Sequence, residues 1–256
     1  MFNIYVLGSG SKGNCIYVDM GDSKVLLDAG LSLKATKKGL KDIGVRLSGI
    51  DYILISHSHG DHIDGVPSIV KNYSTKVICS KSTALTLDIE YIYISTIEDE
   101  ELLSFGNFSV LAKSVPHDAH GSLAFSITNS MGEKLLYLTD CGKSDYMIFE
   151  PHNFYIIEAN YDNEKLTKNL KDNLIHFAVA RRTSSGTGHL EINQTIEILK
   201  NSVGDRLGQI VLSHLSDKNG DGDKFTSMVK KSLNFDRVCV AEPGLSVNYG
   251  ENPKEF

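Results

Sequence analysis

The segment Ile55-Ser56-His57-Ser58-His59-Gly60-Asp61-His62 constrains this chain more than any other. Tyr52–Ser56 reads as a buried strand, and directly after it come three imidazoles and a carboxylate, crowded at the end of an apolar run. Core packing does not require such a density, and desolvation penalises it. Irregular backbone after a strand can turn His57 and His59 toward one metal ion and Asp61 and His62 toward a second, whereas on one helix these positions would splay around the axis. A solvated His-rich turn is the alternative, and further ligands decide between the two. They occur at strand ends downstream: His117 follows SVLAKSVP, Asp140 ends the run LLYLT, and His214 follows QIVLS. One His after a strand is usually a loop residue, but three acceptor side chains at equivalent strand ends beside H-x-H-x-D-H read as a ligand set.

Around this cluster no linker, repeat or low-complexity tract interrupts the chain, which reads as one domain over residues 1–256. The first half predicts strands over Asn3–Leu7, Cys15–Asp19, Lys24–Asp28 and Tyr52–Ser56, with a helix over Leu33–Ile43 capped by Ser32. Val66, Ile69, Val70 and Tyr73 mark the apolar stripe of a second helix, and KVICS is strand-like. Strands follow over Phe108–Ser114, Leu123–Thr128 and Lys134–Thr139, the last two joined at Asn129–Gly132. The second half alternates strands Phe154–Glu158, Phe177–Ala180, Gln209–Ser213 and Arg237–Val240 with helices near Glu164–Leu170, Ile192–Lys200 and Lys224–Leu233. The expected fold class is α/β, an αββα sandwich of two mixed β-sheets flanked by helices.

Composition limits the function classes. With 41% hydrophobic and 23% charged residues the chain is neither disordered nor a disulfide scaffold. The 26 Lys+Arg against 32 Asp+Glu argue against attachment to nucleic acid by bulk positive charge, although bound cations would put positive charge where the chemistry is. Cys15, Cys79, Cys141 and Cys239 form no C-x-x-C pair, so reduced thiols in a cytoplasmic protein are expected. The opening MFNIYVLGSGSKGN lacks a basic leader and reads as a first strand, and nothing reads as a membrane span. Two glycine-rich stretches are decoys. Gly8-Ser9-Gly10-Ser11-Lys12-Gly13 satisfies G-x-G-x-x-G, but a β pattern follows where a dinucleotide site needs a helix. Asp217-Lys218-Asn219-Gly220-Asp221-Gly222 imitates a calcium loop, but Met228 stands where the bidentate Glu belongs. A polar turn capping the next helix is the better reading.

The ordered set His57/His59/Asp61/His62, His117, Asp140, His214 resembles the metallo-β-lactamase fold family over nearly the whole chain. Within it the chain is similar to the YycJ (WalJ, VicX) branch in LGSGSKGN, LLDAGLS, PHDAH, LTDCG, Glu158-Ala159-Asn160-Tyr161, Gly188-His189-Leu190 and LSHLS. The resemblance implies two divalent metal ions, Zn or Mn, with His57, His59 and His117 on one, Asp61, His62 and His214 on the other, and Asp140 bridging. Asp61 and His189 are the expected catalytic residues. Paired metals about 3.5–4 Å apart can share a hydroxide that attacks phosphorus or a carbonyl carbon. True β-lactamases place a thiolate near Cys141, but strand alternation lets only one of Asp140 and Cys141 face the site, and Asp140 can bridge with hard oxygens. His rather than Glu at position 59 sets the chain apart from flavodiiron redox sites and favours hydrolysis.

The substrate is argued from Arg181-Arg182-Thr183-Ser184-Ser185-Gly186-Thr187-Gly188-His189, two guanidiniums and a hydroxyl-rich loop before a helix that starts near Glu191. Such a loop suits an anion, so a phosphodiester fits better than a neutral lactam, with Arg181 and Arg182 as phosphate contacts or, alternatively, surface charges. His189 resembles the Gly-His of the branch, where it would contact the scissile phosphate or protonate the leaving oxygen. Ser11, Asn14 and Asn160 match the branch as substrate contacts or loop support; His120, His152 and His176 receive no role. The implied function is a DNA exonuclease acting from 5′ ends. A small-molecule hydrolase, either a cyclic-nucleotide phosphodiesterase or a thioester or lactone hydrolase, is the runner-up, and a metal-stabilised binding protein is disfavoured by the complete ligand set. The chain has no Trp, so base stacking would fall to Tyr, Phe or His.

Overall fold

The structure, a computed structural model, describes residues 2–143, 147–248 and 253–255. Six strands open one sheet: β1 (Asn3–Gly8), β2 (Cys15–Asp19), β3 (Lys24–Leu27), β4 (Tyr52–Leu54), β5 (Lys76–Cys79) and β6 (Ile94–Thr96). Seven form a second sheet: β7 (Leu102–Ser104), β8 (Phe108–Ser114), β9 (Leu123–Asn129), β10 (Lys134–Leu138), β11 (Phe154–Glu158), β12 (Gln209–Ser213) and β13 (Val238–Val240). The chain then returns to the first sheet as β14 (Leu245–Asn248) and β15 (Lys254–Glu255), giving the orders β15-β14-β1-β2-β3-β4-β5-β6 and β13-β12-β11-β10-β9-β8-β7. Both sheets mix antiparallel and parallel pairs. With helices on their outer faces they form the expected αββα sandwich.

Burial follows the residue pattern. β1 alternates half-buried and buried positions, and Ile4 and Val6 point into the space between the sheets. They meet Leu27 and Leu54 from their own sheet and Val110, Phe125, Ile156 and Val211 from the other. The apolar runs of β11 and β12 are buried throughout, because helices cover their second face. The helices are α1 (Leu33–Asp42), α2 (Gly60–Ile63), α3 (Val66–Tyr73), α4 (Lys81–Ala84), α5 (Asn163–Lys171), α6 (Phe177–Thr183), α7 (Ile192–Ser202) and α8 (Gly222–Leu233). Caps set their starts: Ser32 accepts from Ala35 N–H, Asp162 from Glu164 and Lys165, and Glu191 forms a reciprocal box with Gln194. Asp221 caps α8 through Lys224 N–H, which is the part read for the second glycine-rich stretch.

Phe177–Ala180 is a correction: it is the first half of α6, not a strand. β11 pairs directly with β12, so no position between them is left for another strand. Freed from the sheet, the segment takes the helix that Ala and Arg favour, with His176 accepting from Ala178 N–H at its start. The short strands β6, β7, β14 and β15 were not among the expected elements.

Candidate active site

Every expected ligand sits just beyond a strand or in the loop and short helix that follow one. Asp28 follows β3, His57 lies three residues beyond β4, His117 three beyond β8, Asp140 two beyond β10, and His214 directly after β12, while Glu158 ends β11. β3 and β4 run parallel, as do β10, β11 and β12, so within each sheet these ends share one edge. Asp28, Asp140 and His214 adopt left-handed backbone, with φ of 56°, 47° and 55°. Each such residue costs on the order of 1 kcal/mol or more, a strain that concentrates at functional sites. Gly30 brings the loop after β3 against the H-x-H-x-D-H segment: a Cβ there would lie 1.7 Å from the Asp61 carbonyl oxygen, so no larger residue fits.

The side chains converge. His57 Nε2 and His117 Nε2 lie 3.0 and 3.2 Å from His59 Nδ1. The ligand atoms of His57, His59 and His117 all fall within 4.8 Å of one another, as do those of Asp61, His62 and His214. Asp140 stands between the two groups: its Oδ2 is 3.0 Å from His62 Nε2 and 3.4 Å from His214 Nε2, while its Oδ1 is 3.9 Å from His117 Nε2. Cys141 turns the other way. Its thiol packs with Met147 in the apolar cluster under α7, and its N–H donates to Glu158 at 2.8 Å.

A second ring of contacts fixes which nitrogen each histidine offers. His62 Nδ1 is held by Asp28 Oδ2 at 2.7 Å, His117 Nδ1 by the Gly188 carbonyl at 3.1 Å, and His57 Nδ1 by Ser56 Oγ at 3.0 Å, leaving Nε2 of each toward the cluster. Asp28 is itself tied by the Ser56 N–H and the Tyr137 hydroxyl, the latter reaching across from the second sheet. His214 supplies the test of fit to a cation. Its Nε2 is buried and makes no hydrogen bond, with Asp61 Oδ2 at 3.8 Å and Asp140 Oδ2 at 3.4 Å. A buried nitrogen without a hydrogen bond, set between two carboxylates, suits a divalent ion.

Charge follows the same division. Burial, reinforced by His62, holds His57 well below its ordinary value, and burial also lowers His117, so these rings are neutral as ligation requires. Burial opposes charge on His62 as well, but Asp28 and Asp140 override it and hold that ring up at about 10. For His214 burial is likewise outweighed, by Asp140, Asp61 and Glu158, and the ring is driven well above its usual value. The surrounding imidazoles overcome burial at Asp140 and hold its carboxyl well below the usual range. A cation entering here displaces the protons on His62 and His214.

A cavity of about 920 Å³ opens on this floor and is lined by His189, His214, Asn160 and Ser11. His189 Nδ1 is 2.7 Å from Glu158 Oε1 and 3.3 Å from Asp140 Oδ1, which leaves its Nε2 for a cavity ligand. Asn160 donates to the His214 carbonyl at 2.8 Å, and Ser11 is exposed. Asn14 does not line the cavity. It is 3% exposed, accepts from Gly10 N–H and lies 2.9 Å from His62 Nε2, the geometry of loop support. Arg181 and Arg182 ride on α6 rather than in a loop. Arg182 donates to Asp118 at 2.7 Å, and Asp118 in turn lies 3.3 Å from both His59 and His117. Sequence reasoning assigned nothing to Asp28, Asp118 or Glu158. A carboxylate closing the wholly apolar run FYIIE was the available signal for Glu158, since burial there is penalised unless partners meet it.

A family model described as "Beta-lactamase superfamily domain" matches residues 23–214. The chain is 30% identical over 221 residues to the exodeoxyribonuclease YycJ of Bacillus anthracis, covering 82% of this chain and 81% of the relative. It is equally 30% identical, over 229 residues, to the exodeoxyribonuclease WalJ of Streptococcus pneumoniae, covering 85% and 83%. The crystal structure of the metallo-β-lactamase fold protein YhfI from Bacillus subtilis superposes with a TM-score of 0.74 at 18% identity, over 97% of this chain and 100% of the other.

Proposed function

This chain belongs to the β-lactamase superfamily and is a metal-dependent hydrolase of the metallo-β-lactamase fold, and we propose that it is a two-metal phosphodiesterase working as a DNA exonuclease from 5′ ends. The observation that carries the reading is Asp140, whose two oxygens face different histidine groups. His57, His59 and His117 would hold one divalent ion, Zn or Mn, and Asp61, His62 and His214 the other, with Asp140 shared. Such a pair supplies Lewis acidity at phosphoryl oxygens and an activated water at neutral pH. The protein's own residues do the rest. Glu158 holds His189 Nδ1, so that its Nε2 can give a proton to the leaving oxygen or steady the charged phosphoryl group. Asp61, half-exposed beside the second group, would orient the attacking water. Arg181, exposed on α6, is the guanidinium available to a phosphate, because Asp118 already meets the charge of Arg182. DNA as substrate is supported by the relatives named exodeoxyribonucleases at 30% identity over most of the chain.

The apolar side of the cavity, where Leu174, Phe177 and Val179 sit, favours a second reading as a small-molecule thioester or lactone hydrolase. Metal-loaded protein assayed in parallel on end-labelled single- and double-stranded DNA, RNA, cyclic nucleotides and a lactone separates the two. Stepwise release of nucleotides from DNA 5′ ends is expected; opening of lactones or cyclic nucleotides with every polynucleotide intact overturns the nuclease reading.

A further inference from the structure

Among the described residues ten large apolar side chains are exposed, and three of them, Leu174, Phe177 and Val179, fall in one six-residue stretch lining the cavity that holds His189 and His214. Isolated exposed apolar residues need no explanation, but a concentration at the mouth of a reactive cavity does. Folding gains little here: Phe177 is 64% and Val179 51% exposed, and Ala180 is the residue α6 buries.

We propose that α6 is a nucleobase platform, with Phe177, flanked by Leu174 and Val179, stacking the base beside the scissile phosphodiester; the proposal rests on the phosphodiesterase reading. Three features favour a base over an acyl chain or a second protein. The lip shares its cavity with His189, so its occupant is continuous with the group whose bond breaks. The same cavity presents Asn173 and Lys218, polar partners suited to the edge of a heteroaromatic ring and of no use to an alkyl chain. Arg181, four residues and about one helical turn beyond Phe177, is exposed outside the cavity lining, where it can meet a phosphate of the strand as the strand leaves the cavity. His176 accepts from Ala178 N–H and fixes the start of the platform.

The test uses metal-loaded protein and two end-labelled DNA strands that differ in one respect: one carries a normal 5′-terminal nucleotide, the other an abasic one. The wild-type protein should cleave the intact end faster, by roughly 5- to 150-fold in kcat/KM, the range set by base–aromatic stacking. Phe177→Ala should bring that ratio close to one, Phe177→Tyr should keep it, and Phe177→Leu, which retains apolar area without a π face, should lose it. DNA cleavage with an unchanged ratio in Phe177→Ala, or a ratio restored by Phe177→Leu, overturns the platform and leaves the nuclease reading standing. No cleavage of any polynucleotide, together with hydrolysis of a long-chain acyl thioester that Phe177→Ala loses and Phe177→Leu restores, overturns both. A sedimentation coefficient lowered by Phe177→Ala assigns the lip to a subunit contact and likewise overturns the platform.

Discussion

His214 and Phe177 line the same cavity, yet little else about them is alike. His214 is buried, follows β12 with strained backbone, and is gripped by Asn160 and Glu158. Phe177 stands mostly in solvent on a seven-residue helix whose buried residue is Ala180. On the floor every reactive atom is oriented by a further contact, and removing one disturbs several. On the lip Leu174, Phe177 and Val179 stand largely in solvent. Substitutions on the floor should therefore change ion content or chemistry, and substitutions on the lip should change substrate choice.

The largest effect is expected at Asp140. Asp140→Ala should lose at least one ion and nearly all turnover, whereas Cys141→Ser, whose thiol faces the apolar cluster, should keep both; metal analysis with activity assays checks this, and the reverse pattern would move the site onto the thiolate. His189→Ala comes next, lowering kcat by about 10²–10⁴ with ion content intact, as measured by single-turnover cleavage. Behind it stands Asp28→Asn, which weakens the grip on His62 and should cost roughly 10–100-fold in metal affinity or activity, read by competition with a chelator. The smallest effect belongs to the arginines of α6. Arg181→Ala should reduce the slope of DNA affinity against salt by roughly one, and Arg182→Ala by less because Asp118 already neutralises it; equal slopes for both variants would remove the distinction.

The floor was legible in the chain because metal chemistry admits few residue types and strand ends place them, so His57, His117, Asp140 and His214 stand out beside apolar runs. Asp28 and Glu158 were harder, because one carboxylate after a strand has no meaning until Ser56, Tyr137 or His189 is known to meet it. Asn14 shared the loop of Ser11, and only its burial separates a loop-supporting side chain from an exposed one. The lip misled for a different reason: four apolar residues such as Phe177–Ala180 fit a strand and a helix equally, and the pairing of β11 with β12 decided between them. β7 and β14 escaped notice because three or four residues give too short a pattern to separate from a loop.

The central claim is that the floor binds two divalent ions that act together on a phosphodiester. Titrating zinc or manganese into metal-stripped protein, with bound ions counted and DNA cleavage followed in the same samples, tests it most directly. The account predicts saturation at two ions per chain with cleavage rising as the second binds; full cleavage at fewer than one ion per chain would contradict it.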